Sequence, residues 1–165
     1  QAGYCPARRN ATVRYGRAEA WGVRLGAGDG GRAAVFARHQ RWGEGVRAAV
    51  KAWGLEIQCA DPAVYSPVLT GVMTPAGVDA DAVRKVIYER FDCSLGTGLG
   101  KVKGRMFRIG HLGDCNDLTL VATLAGCEMG LKLAGVKLGS SGVQAAMDYF
   151  AQRACSGAAA GVRPA

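Results

Sequence analysis

Residues 94–136 read SLGTGLGKVKGRMFRIGHLGDCNDLTLVATLAGCEMGLKLAGV and carry the features that decide the fold. A polar, glycine-rich stretch at 94–100 precedes a short run with strand character, Met106–Gly110. A polar link then leads to a long segment of helical periodicity, Asp117–Ala134, which stops before Gly135, a residue type that often follows a helix. The stretch therefore predicts a strand followed by a long helix.

Upstream of this stretch the sequence predicts one more helix and two short strands. Apolar residues recur at near-helical spacing across Ala33–Trp53, and Gly54 is well placed to end that helix. Gly43 and Gly45 lie inside it, and each is expected to cost up to about 1 kcal/mol relative to Ala. Two β-rich apolar runs, Leu55–Cys59 and Val68–Met73, follow and are separated by proline-containing turns.

Two further helices complete the pattern. Asp79 or Asp81 can cap a helix whose apolar face is formed by Val83, Val86, Ile87 and Phe91. Ser140 or Ser141 can cap a last helix that reaches Arg153. The order strand, strand, helix, strand, helix, helix is typical of an α+β domain with its helices segregated from a small sheet.

Composition and charge place the chain among soluble globular proteins of about one domain. It has 165 residues, of which 49% are hydrophobic and 21% charged, and its formal net charge is +8. The first 50 residues hold nine arginines and three acids, a surplus of +6, whereas the other 115 residues carry only +2. Basic residues with interleaved aromatics can indicate nucleic-acid binding, but no spacing typical of such a module is present. We therefore do not expect a nucleic-acid partner.

The cysteines and the apolar segments indicate a reducing cytoplasm and no membrane span. None of the six cysteines forms a C-x-x-C pair, only His39 and His111 are available to help bind a metal, and no secretory signal is present. Cys115, Cys127 and Cys155 fall in helical patterns, where a buried structural role is expected. No apolar run approaches the roughly 18 residues that span a bilayer.

Two glycine-rich segments resemble phosphate-binding loops only weakly. Residues 26–31 satisfy G-x-G-x-x-G, but the preceding strand is short and charged and the βαβ unit is incomplete, so a flexible segment is the better interpretation. Gly96, Gly98, Gly100 and Lys101 lack the Walker spacing and the hydroxyl residue after the lysine.

Arg108 is the strongest candidate for a functional side chain. It lies between Phe107 and Ile109, so the alternation of a strand directs it away from those apolar neighbours, and flanking glycines leave room for a ligand. A guanidinium held in this way suits bidentate recognition of a carboxylate. The structural alternative is an ion pair with an acid such as Asp114 or Asp117, and spacing by itself favours that alternative.

Several motifs in the same order give the chain a family resemblance. The motifs are VFARHQR at 35–41, YSPVLTGVMTP at 65–75, the stretch at 94–136 and GVQAAMDYF at 142–150. Together they resemble the C-terminal domain of the class V pyridoxal-phosphate aminotransferases, in particular the serine–glyoxylate and alanine–glyoxylate group. The resemblance implies a small antiparallel sheet with helices packed on one side, as in the aspartate aminotransferase-like fold.

The resemblance also implies a reaction and two site residues. In this family the arginine of an R-I-G-x-x-G segment holds the α-carboxylate of the amino-acid substrate, and that arginine is Arg108 here. The cofactor would be pyridoxal 5′-phosphate, the substrates an amino acid and glyoxylate, and the intact enzyme a homodimer. Tyr4 matches a tyrosine that reaches the cofactor phosphate of the neighbouring subunit, although Cys5 replaces a hydroxyl residue beside it.

The same comparison predicts an incomplete enzyme. The family's Schiff-base lysine lies upstream of the matched region, and none of the lysines here occupies a matching context, so the chain is expected to be inactive alone. Residues 8–33 depart from the family and are rich in Arg, Gly and Ala, which suggests a disrupted reading frame. We therefore predict an aberrant segment at 1–33, a small aminotransferase domain at 34–155 and a flexible tail at 156–165. The alternatives are a non-catalytic remnant or a basic nucleic-acid-binding module.

Overall fold

The computed structural model describes residues 31–157, so the predictions for residues 1–30 and 158–165 lie outside the described part of the chain. The chain divides into two compact units, residues 1–38 and 39–165. In the first unit only the opening turns of a helix, residues 31–38, are described. The second unit contains the sheet and the remaining helices.

Helix α1 spans Gly31–Trp53, two residues longer at its start than the periodicity predicts. Its C-terminus is the predicted glycine stop: Gly54 adopts φ 75°, a left-handed conformation that glycine tolerates without strain. The Leu55 amide then donates to the Val50 carbonyl oxygen at 3.2 Å, which satisfies a carbonyl that the helix itself leaves unpaired.

Three antiparallel strands form the sheet in the order β1–β3–β2. Strand β1 is Leu69–Met73, β2 is Gly96–Thr97 and β3 is Met106–Gly110, so β3 occupies the centre. The sequence predicted β1 and β3 but missed β2, because two residues in a glycine-rich stretch show no strand pattern. Pairing with β3 holds β2 in place.

The predicted strand Leu55–Cys59 is wrong. Within it only Ile57 forms a bridge, with Val72 of β1. Two ladder-type hydrogen bonds, Met73 N–H to Glu56 O and Gln58 N–H to Gly71 O, hold the segment against the sheet edge. The chain then turns away at Asp61, which caps a short 3-10 turn, Pro62–Val64, and the pairing ends before a strand can develop.

Three helices follow along the chain: α2 at Ala80–Phe91, α3 at Asp117–Leu133 and α4 at Gly142–Gly157. Asp79 caps α2, Asn116 caps α3 in a reciprocal pair with Thr119, and the Ser141 hydroxyl accepts from the Gln144 amide at the start of α4. Cys115 lies in the loop before α3, not in a helix as predicted, because the helix starts only after the Asn116 cap.

The core lies between one face of the sheet and the helices. Val72, Phe107 and Ile109 project from β1 and β3 into it and are fully buried. They pack with apolar residues of all four helices, among them Trp53 of α1 and Leu124 of α3. This confirms the predicted α+β class, with a small antiparallel sheet and helices on one side.

Candidate functional site

The strand alternation directs Arg108 to the sheet face opposite the core. Its neighbours Phe107 and Ile109 are fully buried, whereas Arg108 itself is partly exposed. In the two strand pairings Arg108 lies opposite Gly71 of β1 and Gly96 of β2. A guanidinium flanked by glycines on both sides remains accessible to a ligand.

Arg108 has no counter-ion within residues 31–157. Asp117, one of the two acids suggested as its structural partner, instead accepts two hydrogen bonds from Arg41, at 2.7 and 2.6 Å, and a third from the Trp42 indole at 3.2 Å. Asp114 is exposed and forms no ion pair with Arg108. The Arg108 Nε atom is buried and has no hydrogen-bond partner in this part of the chain.

Gly96 makes room for the side chain of Arg108. A Cβ atom on residue 96 would lie 3.0 Å from both Cβ and Nε of Arg108 and 3.5 Å from its Cζ. Such contacts are tighter than ordinary van der Waals separations of about 3.5–4.0 Å. The absence of a side chain at Gly96 therefore lets the arginine lie flat along β2.

A second arginine, Arg47 of α1, lies against the segment that leads into β1. It is 6% exposed, donates from Nη1 to the Ser66 carbonyl oxygen at 3.3 Å, and stacks over the Tyr65 ring with its Cζ 5.1 Å from the ring centroid. No carboxylate among the described residues pairs with it. A buried guanidinium without an anion is costly, so this arrangement suits a site that receives one.

One cavity connects the two arginines. It measures about 180 Å³ and lies at the β1 edge of the sheet, where Arg47 and Arg108 are its only charged lining residues among those described. The other lining residues carry no charge, and they include Tyr65, Ser66 and Thr70. Sequence reasoning missed Arg47 because it was grouped with the other arginines of the first 50 residues. Its place on the buried stripe of α1, one turn before Val50, is the signal that could have singled it out.

Two histidines hold the loop that follows Arg108. His111 is fully buried and its Nε2 atom lies 3.0 Å from the Thr70 hydroxyl of β1. His39 of α1, 5% exposed, accepts a hydrogen bond at Nε2 from the Gly113 amide at 3.2 Å. The R-I-G-x-x-G segment is thus tied to the sheet and to α1 on both sides of Leu112.

His111 is kept neutral by its surroundings. Its pKa is lowered to about 4, mainly by burial; backbone hydrogen bonding at Pro67 opposes this effect, and the nearby Arg47 and His39 add to it. A neutral imidazole keeps a second positive charge away from Arg47.

The family resemblance implies a cofactor that is held covalently by a lysine. A Schiff-base lysine is activated by desolvation or by a nearby cation in a pocket. All six lysines of the chain are exposed, at positions 51, 85, 101, 103, 132 and 137, and none of them lines the cavity. The charged groups that line the cavity, Arg47 and Arg108, are suited to binding a carboxylate.

Other predicted features are absent or lie elsewhere. Tyr4, Cys5 and residues 26–30 are outside the described residues. Gly96–Thr97 form β2, and Gly100–Val102 form a 3-10 turn, so this stretch is not a phosphate loop at a helix start. Across positions 31–157 no three His, Cys, Asp or Glu side chains gather as a metal site requires. No helix in that same range is long and apolar enough to cross a membrane.

Sequence comparison finds relatives among aminotransferases, whereas no family model matches the chain. The chain is 46% identical over 128 residues to a serine–glyoxylate aminotransferase of Hyphomicrobium methylovorum, covering 76% of this chain and 31% of that protein. It is 43% identical over 120 residues to an L-aspartate–glyoxylate aminotransferase of Paracoccus denitrificans, covering 72% of this chain and 30% of that protein. The chain thus spans about a third of the length of these relatives.

Solved structures agree with this result. The fold matches a pyridoxamine–pyruvate aminotransferase of Mesorhizobium loti with a TM-score of 0.66 and 33% identity, over 71% of this chain and 30% of that one. It matches a ureidoglycine–glyoxylate aminotransferase of Bacillus subtilis with a TM-score of 0.65 and 29% identity, over 70% of this chain and 30% of that one. By sequence and fold, the chain belongs to the class V pyridoxal-phosphate-dependent aminotransferases, in the group that contains the serine–glyoxylate enzymes.

Proposed function

We propose that this chain is the substrate-carboxylate-binding portion of a pyridoxal-phosphate-dependent aminotransferase that moves an amino group to glyoxylate. The observation that carries the proposal is Arg108, whose guanidinium has no counter-ion among the described residues and whose Nε is buried without a partner. Arg108 binds the α-carboxylate of the amino-donor substrate and fixes its orientation. The substrate is thereby restricted to geometries in which it can react. Serine, alanine and aspartate all fit this role, since all carry the same α-carboxylate.

The cofactor supplies the electron sink that stabilises the α-carbon once its proton leaves. The lysine that holds the cofactor is, in this proposal, outside the chain, and the chain is inactive alone. Exposure of every lysine in the chain supports this assignment.

Tyr4 is proposed to reach the cofactor phosphate across a homodimer in the intact enzyme, which we place in the cytoplasm. The proposed small domain spans 34–155, between an aberrant segment at 1–33 and a tail at 156–165.

Carboxylate binding by the purified chain tests the role of Arg108. Titration with acetate at constant ionic strength, followed through the arginine Nε–H signals in nitrogen-edited NMR spectra, should shift the Arg108 signal saturably. R108Q is expected to weaken acetate binding about ten- to hundredfold, in line with the ~1.5–3 kcal/mol of a hydrogen bond to a charged group. R105Q is the matched control, because it removes the same charge from an exposed position outside the cavity. Equal acetate affinity in R108Q and the unmodified chain would refute the assignment and favour a non-catalytic remnant.

Borohydride reduction tests the absence of the cofactor lysine. The chain is incubated with pyridoxal phosphate, reduced, digested and examined by mass spectrometry. Exposed lysines react weakly with pyridoxal phosphate, in proportion to its concentration. The reduced cofactor should therefore be spread over several lysines, and labelling should not saturate as the cofactor concentration rises. Stoichiometric labelling of one lysine at low cofactor concentration would contradict the proposal.

A further inference from the structure

The cavity at the β1 edge carries more positive charge than one carboxylate needs. Arg47 and Arg108 both line its ~180 Å³, and no acidic side chain is among its lining residues. Two like charges facing one small volume repel each other unless an anion lies between them. The arrangement is therefore suited to a ligand with two negative groups.

The surroundings of Arg47 show a charge that is held in place but not neutralised. Among the described residues its partners are a neutral carbonyl, that of Ser66, and the face of the Tyr65 ring. Both orient the guanidinium, because the carbonyl occupies one N–H and the ring covers one flat side. Arg47 retains further N–H donors, since a guanidinium has five and, within residues 31–157, one of them is used in a hydrogen bond.

Gly43 of α1 gives this arginine its space. A Cβ on residue 43 would lie 2.8 Å from Nη1 of Arg47 and 3.1 Å from Cε1 of His111. The glycine thus lets the guanidinium and the neutral imidazole pack directly on the helix backbone. The site at Arg47 is built by the helix, the 65–66 segment and the loop after β3 together.

We propose that this cavity binds a short dicarboxylate, with one carboxylate on Arg108 and the other on Arg47. The inference rests on the proposed function for the Arg108 half and adds Arg47 as the residue that selects an acidic side chain. A cavity of about 180 Å³ has room for a small organic acid. Among the amino donors that Arg108 can bind, the cavity therefore favours one with a second carboxylate, and the acceptor remains glyoxylate.

Comparison of mono- and dicarboxylates tests the proposal. The unmodified chain is titrated with acetate, succinate and sulfate at constant ionic strength, and the arginine Nε–H signals are followed by NMR. Succinate is expected to bind at least about tenfold more tightly than acetate and to shift the signals of both arginines, whereas acetate shifts that of Arg108. Sulfate, a compact dianion, should not reproduce the affinity of succinate.

Variants separate this inference from the proposed function. R47Q should abolish the preference for succinate over acetate, whereas R108Q should weaken binding of both ligands and R105Q of neither. Because R47Q removes a buried side chain and can fail to fold, the Arg47 signal in the unmodified chain is an independent measurement. Any of three results would overturn the inference. Succinate could leave the Arg47 signal unmoved, sulfate could bind as tightly as succinate, or the preference for succinate could survive R47Q. Normal acetate binding in those cases would leave the role of Arg108 intact.

Discussion

Gly96 and Arg108 lie directly opposite each other in the pairing of β2 with β3, and the arginine side chain occupies the volume that a Cβ on residue 96 would fill. The two-residue strand β2 therefore does more than extend the sheet. Its glycine determines which conformation Arg108 can adopt, and so where the guanidinium presents its N–H donors.

Gly96→Ala is expected to weaken acetate binding about three- to tenfold by displacing Arg108. The added methyl group would stand 3.0 Å from Cβ and Nε of the arginine. Rotation of the side chain relieves the contact at Nε, whereas the contact at Cβ, which the backbone fixes, requires β2 and β3 to move slightly apart. Gly110→Ala is the control, because residue 110 lies on β3 and its Cβ would meet nothing within 4 Å. Equal acetate affinity in the two variants would show that Gly96 does not position Arg108.

His111 should make the protein less stable as the pH falls through the mildly acidic range. Burial holds its pKa at about 4 in the folded chain, below the 6.5 of an exposed histidine. Its contribution is therefore complete above pH 6.5 and is lost as the pH falls towards 4, because the unfolded chain binds the proton first. Titration of His111 is therefore expected to lower the free energy of unfolding by about 1.5 kcal/mol between pH 6.5 and 5.

Urea unfolding across that pH range measures the effect of His111. His111→Asn should flatten the profile between pH 6.5 and 5 while lowering stability at pH 7, since the bond to Thr70 is lost. His39 remains in both proteins and serves as the internal control. An unchanged slope in the variant would assign the pH dependence to other groups.

Glu128 joins three helices through one buried carboxylate. Its Oε2 accepts from the Trp53 indole at 3.0 Å, from the Ser141 hydroxyl at 3.2 Å and from the Val143 amide at 3.2 Å, and its Oε1 accepts from Lys132 at 2.8 Å. Burial by itself raises the pKa of Glu128, but the hydrogen bonds from Lys132, Trp53 and Val143 outweigh it and lower the pKa to about 2.

Glu128→Ala is expected to cost about 2–4 kcal/mol, because the buried indole N–H and the start of α4 lose their acceptor. Lys132→Gln, which removes a side chain that is 60% exposed, should cost less than about 1 kcal/mol. Chemical denaturation at pH 7 measures both. Similar losses in the two variants would mean that the surface ion pair, and not the buried hydrogen bonds, stabilises this junction.

Gly45→Ala should destabilise the protein, although alanine has a higher helix propensity than glycine. Alanine is intrinsically favoured by up to about 1 kcal/mol, but its Cβ would lie 2.3 Å from the Phe150 ring of α4. Gly126→Ala in α3 is the matched control, because its Cβ would meet only Cys93 and Phe91, at 3.8 and 3.9 Å. Thermal unfolding should give a lower midpoint for Gly45→Ala and an equal or higher midpoint for Gly126→Ala. A stabilised Gly45→Ala variant would contradict the close packing of α1 on α4.

Much of the fold could be predicted from local pattern. The helices and the two longer strands follow from periodicity and from caps such as Asp79 and Gly54, whose effect depends on the neighbouring backbone alone. The segment Leu55–Cys59 and strand β2 could not be predicted correctly, because a strand exists only where a partner pairs with it. At Gly96–Thr97 that partner is β3, and around Ile57 the pairing with β1 is too short to make a strand.

The sequence by itself determined the α+β class and the face of the strand on which Arg108 lies, because alternation is a local property of the extended chain. Only the tertiary structure decided whether that arginine is paired. Asp117 lies on α3, the helix that follows the strand of Arg108, but its carboxylate pairs with Arg41. Arg41 lies on α1, 76 residues before Asp117 in the chain. The same long-range packing brings Arg47 to the cavity of Arg108. It also places Gly45 against the Phe150 ring, so that a residue of low helix propensity allows close packing of two helices. Such contacts depend on which surfaces meet, and residue spacing along one chain does not encode that.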